Sequence, residues 1–404
     1  MASKASVVVV VGPLEPYQAG FEVVLAEAGY TPLSAANQVR LMRHLSIWLA
    51  GRGLEAAELS LAVVGAYLAY RRGEGYTSWL SVRGLAPLLG YLRGLGVVPA
   101  LVRAVAAGPL EELVESYQRY LVTERGLAST TVRYYLADAR VFLACWVDVC
   151  GSRLGEMTAA QVTAFVVEQC ARRSVGSAKI LVTVLRSLLR FLLLEGMVST
   201  DLSGVVPAVA GWRGSGLPKA IGTSDVAALL ATCECRSRVA GRRDRAVLLL
   251  LVRLGLRSVE VARLELEDLD WRRGEVIIRG KGHRDERLPL PSDVGEAIVD
   301  YLRHDRPKVT HRALFINARA PYSPMKTGSV QNVVVTAAGR AGLVSVSAHR
   351  LRHTAATQML AAEARLAEVG QVLRHRSAAT TAIYAKVDRS RLRELAAAWP
   401  QMSR

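Results

Sequence analysis

Residues 347–387 read SAHRLRHTAATQMLAAEARLAEVGQVLRHRSAATTAIYAKV, and this stretch places polar groups of complementary chemistry in one compact, helical pattern. Ser347 is a typical N-cap residue, and His349 and Arg352 follow on the first turns of the predicted helix. Their spacing sends both side chains to one helix face, where the pair can grip one phosphate. Apolar residues then recur at helical spacing as far as Leu373, which predicts short packed helices rather than strands.

The second half of this stretch adds an imidazole and a phenol. His375 ends the apolar run, and a further short helix over residues 378–385 is predicted to present Tyr384. Upstream, Gly255-Leu-Arg257-Ser-Val-Glu260 pairs an arginine with a carboxylate three positions later. The sequence Gly280-Lys281-Gly282 lies between two strand-like segments, residues 275–278 and 287–290, which predicts a β-hairpin.

These motifs, in this order and spacing, resemble the tyrosine recombinases of the phage integrase family. His349-Arg-Leu-Arg352, Leu-Arg-His375-Arg-Ser and Ile-Tyr384 resemble the C-terminal box of the family. The motif around Arg257 resembles the family's first-arginine motif, and the hairpin resembles the one that carries its lysine. The resemblance covers about residues 215–390, and one departure is Arg374, where many members have glycine before the histidine.

The resemblance implies a complete catalytic set and one supporting carboxylate. The implied catalytic residues are Arg257, Lys281, His349, Arg352, His375 and Tyr384, and Glu260 is expected to be their buried orienting partner. Tyr384 would attack the phosphodiester and form a 3′-phosphotyrosine, while Lys281 protonates the leaving 5′ oxygen to give a 5′-hydroxyl. The ester keeps the bond energy, so the resemblance implies neither a metal nor another cofactor.

The residue types suit that chemistry on physical grounds. Transfer of a phosphodiester needs in-line positioning and neutralisation of developing charge. Arg257 and Arg352 carry permanently charged planar forks that can hydrogen-bond phosphate oxygens in a bidentate manner. His349 and His375 can assist proton transfer or donate to the phosphate. The phenol of Tyr384 has a reference pKa of about 10, so its attack requires a base or a cationic pocket.

A zinc site is the competing interpretation of the same helix, because His349 and His353 are four positions apart. The residue after the first histidine is Arg350 rather than a glutamate base, and cationic neighbours oppose a dication. No metal is therefore expected, and His353 is predicted to pack or hydrogen-bond locally.

The charge balance of the chain favours a polyanionic partner. The 404 residues carry 52 Lys and Arg against 35 Asp and Glu, which gives a net charge of +17. Such an excess favours nucleic acid or an anionic membrane. The apolar run at residues 7–11 is too short for a membrane span, so no membrane partner is expected. Five cysteines without paired spacing predict reduced thiols in a cytoplasmic protein.

The chain is predicted to be mainly α-helical, with a small β-hairpin or sheet in the catalytic domain, and to form a C-shaped clamp of several domains around DNA. The predicted parts are a flexible arm (1–14), a helical domain (15–105), a helical core-binding domain (108–205), a linker (206–221) and a catalytic domain with a tail helix (222–404). Sliding the sequence by 98 positions superposes Leu45 and Trp48 on Leu143 and Trp146, which suggests a duplicated helical domain. Coincidental register of two four-helix segments is the other explanation.

The second helical domain resembles the core-binding domain of the family. Six basic residues are candidates for phosphate contacts, namely Arg133, Arg140, Arg172, Arg173, Lys179 and Arg186. Charge on a helix is usually a solvated face, so each of these has that ordinary alternative.

The resemblance implies a site-specific recombinase or integrase acting for a mobile element, with four protomers on two sites in duplex DNA. Accessory DNA-bending proteins or a partner recombinase stay open. A tail helix with Leu392, Leu395 and Trp399 on one face can dock on a neighbour or fold back in cis. Two other classes also stay open: an enzyme of the same chemistry that only relaxes or resolves DNA, and a DNA-binding protein with a degenerate site.

Overall fold

The structure is a computed structural model. It describes residues 8–98, 108–148, 151–210, 219–234, 240–280, 285–375 and 377–387. The chain divides into two compact units, one of Met1–Val98 with Gly214–Arg404 and the other of Pro99–Arg213. Helices dominate both units, and the largest sheet in the described residues has three short strands. The predicted fold class, mainly α with a small sheet, is therefore confirmed.

The N-terminal region is helical and has an apolar core of its own. Its helices are α1 (Gln18–Glu27), α2 (Pro32–Ala50), α3 (Leu61–Gly73) and α4 (Val82–Gly94). Hydroxyl caps start two of them: Thr31 accepts a hydrogen bond from the Ser34 N–H, and Ser60 accepts one from the Val63 N–H. The helical character predicted for this region is observed.

The predicted flexible arm differs from the structure over its described part, residues 8–14. Val10 and Leu14 are fully buried in the core of the N-terminal region. The Val10 N–H donates to Oε1 of Gln18 at 2.7 Å, and the Leu14 N–H donates to Oγ of Ser46 at 3.0 Å. Apolar burial and satisfied backbone groups hold this segment against the helices. Residues 1–7 lie outside the described residues.

The second unit is a separate bundle of helices. These are α5 (Pro109–Thr123), α6 (Ser129–Leu143), α7 (Ala159–Ala171) and α8 (Val175–Leu194). Thr158 and Gln161 form a reciprocal capping box at the start of α7. A two-stranded antiparallel ribbon, β1 (Val147–Asp148) with β2 (Gly151–Ser152), was not predicted. Val206 is buried in the core of this bundle, so the predicted linker begins with a packed residue.

The C-terminal region is the part that carries the predicted site. Its helices are α9 (Thr223–Ala231), α10 (Gly241–Arg253), α11 (Ser258–Arg263), α12 (Ser292–His304), α13 (Thr327–Arg340), α14 (Ala348–Ala361), α15 (Leu366–Val372) and α16 (Ala378–Thr381). A 3-10 turn, Ala382–Val387, follows α16. The residues of α10 from 246 to 252 are all buried, so this helix is the centre of the core.

The predicted hairpin belongs to a three-stranded antiparallel sheet in the order β3-β4-β5. The strands are β3 (Leu269–Asp270), β4 (Glu275–Arg279) and β5 (Asp285–Pro289). Val276 and Ile278 of β4 point into the core, as the period-two pattern requires. The hairpin is confirmed, whereas Lys281 lies outside the described residues.

Smaller differences concern the edges of this region. Gly222 is the N-cap of α9, and no side-chain hydrogen bond caps this helix. Ile221 is buried, and its N–H donates to Oγ1 of Thr354 at 3.0 Å, which ties the end of the predicted linker to α14. The predicted tail helix, with Leu392, Leu395 and Trp399, lies outside the described residues.

Two further features concern apolar helices and the cysteines. Within the described ranges, no helix combines the length and apolar character that crossing a bilayer requires. Cys145 and Cys170 are free thiols, while Cys150 and Cys235 lie outside the described residues.

Candidate active site

The start of α14 is set by the residue that the sequence singled out as a cap. The Ser347 hydroxyl accepts a hydrogen bond from the Arg350 N–H at 3.3 Å. From this start, helical spacing places His349, Arg352 and His353 within the first two turns. Ser347 is therefore confirmed as the N-cap.

Arg352 is the buried cation of the site, with only 3% of the residue exposed. Its Nη1 donates to the Gly255 carbonyl at 2.5 Å, and its Nη2 donates to the Leu373 carbonyl. Burial, with help from Arg257 and Arg374, lowers the pKa of Arg352 to about 10, so the guanidinium is still charged at neutral pH. Two of its five N–H groups are used by these carbonyls.

Gly255 is required by this close approach. It has a φ of +58°, and a Cβ there would overlap Cδ2 of the buried Leu373. Glycine adopts this conformation without strain and leaves room for the neighbouring turn. The glycine in the first-arginine motif thus lets the Gly255 carbonyl reach Arg352.

Arg257 and Glu260 form a local pair at the start of α11. Glu260 accepts from the Arg257 N–H at 2.7 Å and from its Nη1 at 2.6 Å. Burial acts to raise the pKa of Glu260, but the charges of Arg374 and Arg257, together with the hydrogen bonds from Arg257, leave that pKa below its ordinary value. The guanidinium of Arg257 is partly exposed, and its Nη2 also points to the Arg374 carbonyl at 3.4 Å.

Arg374, which departs from the family pattern, is part of the site. It has a φ of +55°, a left-handed conformation that favours glycine and costs free energy for other residues. Its side chain is 5% exposed and donates from Nη2 to Oε2 of Glu260 at 2.8 Å. The same carboxylate therefore binds Arg257 and Arg374.

His375 is held by the residues around it. Its N–H donates to the Gly370 carbonyl at 3.0 Å, and its Nδ1 lies 2.7 Å from Oγ1 of Thr381. A Cβ on Gly370 would come within 2.9 Å of that hydroxyl, so glycine permits the contact between α15 and α16. Burial, followed by the charges of Arg352 and Arg257, lowers the pKa of His375 to about 4, so its ring is neutral at pH 7.

Tyr384 is almost completely buried, with 1% of the residue exposed. Its hydroxyl lies 2.8 Å from Nδ1 of His353, and its ring is parallel to that of His375 at a centroid distance of 6.2 Å. Burial raises the pKa of the phenol, while the charge of Arg352 acts in the opposite direction. The phenol is therefore protonated at neutral pH and hydrogen-bonded to an imidazole.

His353 is a residue of the site that was not among the predicted catalytic residues. Local packing or hydrogen bonding was predicted, whereas its observed partner is Tyr384, 31 positions away. Its ring also lies 4.3 Å from that of His349, centroid to centroid. Burial and the neighbouring His349 and Arg352 lower its pKa to about 4, so its ring is neutral at pH 7. The four-residue spacing from His349 was the available signal, because it places both rings on one face.

The structure brings together most of the predicted set. The turn that precedes His375 links five of its members, through hydrogen bonds or ring contacts: Arg257, Glu260, Arg352, His375 and Tyr384. His349 joins them through its ring contact with His353. His349 is an exposed residue, although part of its side chain is covered. This partial burial lowers the pKa of His349, and the charges of Arg352 and Arg257 lower it further. Arg257 and Arg374 both pair with the carboxylate of Glu260, and the charge of Glu260 also acts on Arg352. Three arginines therefore face one described carboxylate, and this excess of positive charge suits an anionic ligand.

The six basic candidates of the second unit have different surroundings. Arg140, Arg173 and Arg172 form ion pairs with Glu111, Asp138 and Glu168, respectively. Arg186 donates to the Val206 carbonyl at 2.8 Å, and Arg133 lies near the ring of Tyr134. Lys179 is partly buried on α8. The ion-paired members must exchange a carboxylate for a phosphate if they bind DNA.

Comparison with known proteins identifies relatives over nearly the whole chain. The family model described as "Phage integrase family" matches residues 219–391, and "Phage integrase, N-terminal SAM-like domain" matches residues 114–196. The putative integrase/recombinase y4rA of Sinorhizobium fredii is 38% identical over 96% of this chain and 95% of the relative. The tyrosine recombinase XerD of Mycobacterium leprae is 32% identical over 71% of this chain and 96% of its own length.

Solved structures agree at the level of the fold. The XerH site-specific recombinase bound to palindromic difH substrate, in a post-cleavage complex, aligns with a TM-score of 0.57 at 19% identity, over 72% of this chain and 97% of that one. A lambda integrase dimer bound to a COC′ core site aligns with a TM-score of 0.55 at 16% identity, over 73% of this chain and 80% of that one.

Proposed function

The chain belongs to the phage integrase family of tyrosine recombinases, and we propose that it cleaves and rejoins duplex DNA through a 3′-phosphotyrosine formed on Tyr384. Site-specific recombination is the activity of this family. The observation that carries the proposed mechanism is a buried phenol 2.8 Å from a neutral imidazole, within a group of arginines that outnumber their carboxylate.

The arginines support binding of the scissile phosphate. Arg352 is charged at neutral pH, and Arg257 is partly exposed beside it. Charge that develops on the non-bridging oxygens would be stabilised by both forks. His375, whose Nδ1 is engaged by Thr381, keeps its Nε2 for the phosphate.

The proposed step balances as a transesterification. The Tyr384 oxygen bonds to phosphorus as the bond from phosphorus to the 5′ oxygen breaks. The phenolic proton passes to Nδ1 of His353, and Lys281, which is assigned by family resemblance, protonates the departing 5′ oxygen. Since Tyr384 is buried, its ring must become accessible when DNA binds. Attack by a 5′-hydroxyl from a partner strand reverses the step and reseals the DNA.

We also propose the division of labour along the chain. Residues 222–404 would perform catalysis, residues 108–205 would bind the core site through basic residues such as Arg133 and Arg186, and residues 15–105 would be a second helical DNA-binding domain. Matching caps at Ser60 and Thr158, and matching buried positions at Leu88 and Leu188, support the proposed duplication.

The biological role that we propose is integration, excision or transposition of a mobile element by four protomers on two DNA sites. Support comes from the relative named as a putative integrase/recombinase, which this chain matches almost end to end. A plasmid assay with two copies of the element's ends tests this role. Exchange between the two copies supports the proposed role. Relaxation of the plasmid without exchange would instead support an enzyme of the same chemistry that only relaxes or resolves DNA.

Trapping the covalent intermediate tests the chemistry. The full-length protein is incubated with nicked duplexes from the ends of its own element, and a denaturation-resistant adduct is sought. We expect an adduct with the wild type and with Tyr134→Phe, an exposed tyrosine in α6, and none with Tyr384→Phe. Persistence of the adduct in Tyr384→Phe would assign the nucleophile elsewhere. Absence of any adduct on DNA that is bound would favour the DNA-binding alternative.

A further inference from the structure

A cavity of about 480 Å³ opens on the N-terminal region, beside α2 and α3. Its principal lining residues are Trp48, Arg52, Tyr67, Tyr70, Arg71 and Tyr76. The volume lies within the ordinary range of small-ligand sites. We call it the α2–α3 cavity, and none of its lining residues belongs to the candidate active site.

The walls of the α2–α3 cavity are aromatic. The ring of Trp48 contacts those of Tyr67 and Tyr70, with centroid distances of 5.5 and 6.3 Å. Tyr70 and Tyr76 are substantially exposed, although tyrosine rings ordinarily bury much of their apolar surface. Exposed rings around a concave surface provide a platform on which a flat ring can stack.

The charge at this cavity is positive and unbalanced. Arg71 is 4% exposed, lies 4.0 Å from the ring centre of Tyr76, and donates to the Ser78 carbonyl at 3.2 Å. Arg52 lies 4.5 Å from the ring centre of Trp48. Within the described part of the chain, neither guanidinium forms an ion pair with a carboxylate. A buried cation without a counter-ion costs free energy, and binding of an anion reduces that cost.

We infer that the α2–α3 cavity binds a single unpaired nucleotide. Aromatic walls take the base, because every nucleobase has a face that stacks on a ring, and stacking does not depend on its identity. Arg52, at the exposed edge, takes the phosphate through charge-assisted hydrogen bonds, and the positive field of Arg71 adds attraction. A paired base inside a duplex is covered on both faces, so the ligand is an unpaired nucleotide in DNA or a free nucleotide.

This inference rests on the proposed function only where DNA is the source of the nucleotide. The test therefore uses Tyr384→Phe protein of full length, in which binding is measured without cleavage. Affinities are compared for a fully paired duplex, the same duplex with one unpaired thymidine, and the same duplex with an abasic residue at that position. We expect about tenfold tighter binding of the unpaired thymidine than of either other duplex. Equal affinities for the three, with no binding of free nucleotide, would overturn the inference and leave the aromatic surface for a protein partner.

Variants at the exposed edge assign the preference to the cavity. Arg52→Gln and Tyr76→Leu are each expected to remove most of the tenfold preference. Arg83→Gln makes the same charge change at an exposed arginine of α4 that does not line the cavity, and it should retain the preference. If Arg83→Gln removes as much preference as Arg52→Gln, the effect is general charge and the assignment fails.

Photocrosslinking locates the base. A 5-iododeoxyuridine replaces the unpaired thymidine, and crosslinked peptides are identified by mass spectrometry. Crosslinks within residues 44–76 support the inference, and crosslinks confined to other parts of the chain contradict it. Competition by thymidine monophosphate would identify free nucleotide as a source, whereas crosslinking that resists it would identify DNA. Equal competition by inorganic phosphate would overturn the stacking component.

Discussion

The hydroxyl of Tyr384 contacts His353, a residue outside the motifs that resemble the family. His353 is neutral at pH 7 and is hydrogen-bonded to that hydroxyl. We expect His353→Ala to reduce the rate of adduct formation by about 10²-fold, because loss of a positioned base has effects of that order. Single-turnover cleavage of nicked duplexes measures this rate across pH.

A structural role for His353 would give a different result. If the histidine only packs, the variant changes stability but keeps the wild-type pH–rate profile. If the histidine acts as a base, the rate of the wild type falls at low pH as His353 becomes protonated, and the variant lacks this fall. His304→Gln alters an exposed histidine of α12 and is expected to cleave at the wild-type rate.

Arg374 combines a strained backbone with a buried ion pair. Substitution by alanine removes the ion pair with Glu260 but keeps a Cβ at a φ of +55°. Substitution by glycine removes the ion pair and the Cβ. We expect Arg374→Gly to be more stable than Arg374→Ala by about 1 kcal/mol, the lower range of the cost of such a conformation. Urea unfolding measures the difference. Equal free energies of unfolding would mean that the backbone relaxes in both variants.

At the scale of elements, the turn between α10 and α11 joins two parts of the site. Gly255→Ala introduces both a strained φ and an overlap with Leu373, whereas Gly274→Ala introduces a similar strain with no atom within 4 Å of the new Cβ. We expect Gly255→Ala to lower the free energy of unfolding more than Gly274→Ala and to reduce adduct formation, because it displaces the carbonyl that binds Arg352. Equal losses in the two variants would show that strain alone matters.

The histidines of α14 and the turn before α16 couple stability to pH. The pKa values of His353 and His375 fall from 6.5 to about 4 on folding, so the unfolded chain binds more protons between these values. The free energy of unfolding should therefore decrease as the pH falls from 6.5 towards 4. The double variant His353→Gln, His375→Gln should lose less stability between pH 7 and 5.5.

Between pH 7 and 5.5, the contribution of the histidines to stability can be measured apart from that of Glu260. Glu260 has a lowered pKa, so its stabilising contribution is lost only as the pH falls below its ordinary value of 4.5. Urea midpoints at pH 7 and 5.5 therefore report the imidazoles, and identical pH dependence in wild type and double variant would contradict their assignment.

For the molecule as a whole, net charge governs the strength of DNA binding. With a charge of +17, the logarithm of the affinity for duplex DNA should fall linearly with the logarithm of salt concentration. The slope is about −0.9 per phosphate contact, because each contact releases counterions. Titration of labelled duplex at several salt concentrations measures it. Affinity that does not change with salt would contradict an electrostatic interface.

The residues of the C-terminal box, the hairpin and the Ser347 cap were predictable, because they depend on local spacing. The packing of Val10 and Leu14 was not, since an apolar segment near a terminus acquires a partner only when the helices assemble. The contact of His353 with Tyr384 likewise joins residues far apart in sequence. Arg374 could be recognised as unusual, but its partner Glu260 lies 114 positions away.

The sequence by itself determined the family, the helical class and the identity of the candidate phosphate-binding and nucleophilic groups. These follow from residue types at fixed spacing, which local helix and hairpin geometry converts into shared faces. Three features were decided only by the tertiary structure. The carboxylate of Glu260 binds both Arg257 and Arg374, and Arg352 donates two N–H groups to main-chain carbonyls. Tyr384 is buried and contacts His353. The physical reason is that burial, pKa and hydrogen-bond partners depend on groups distant in the chain, which only packing brings together.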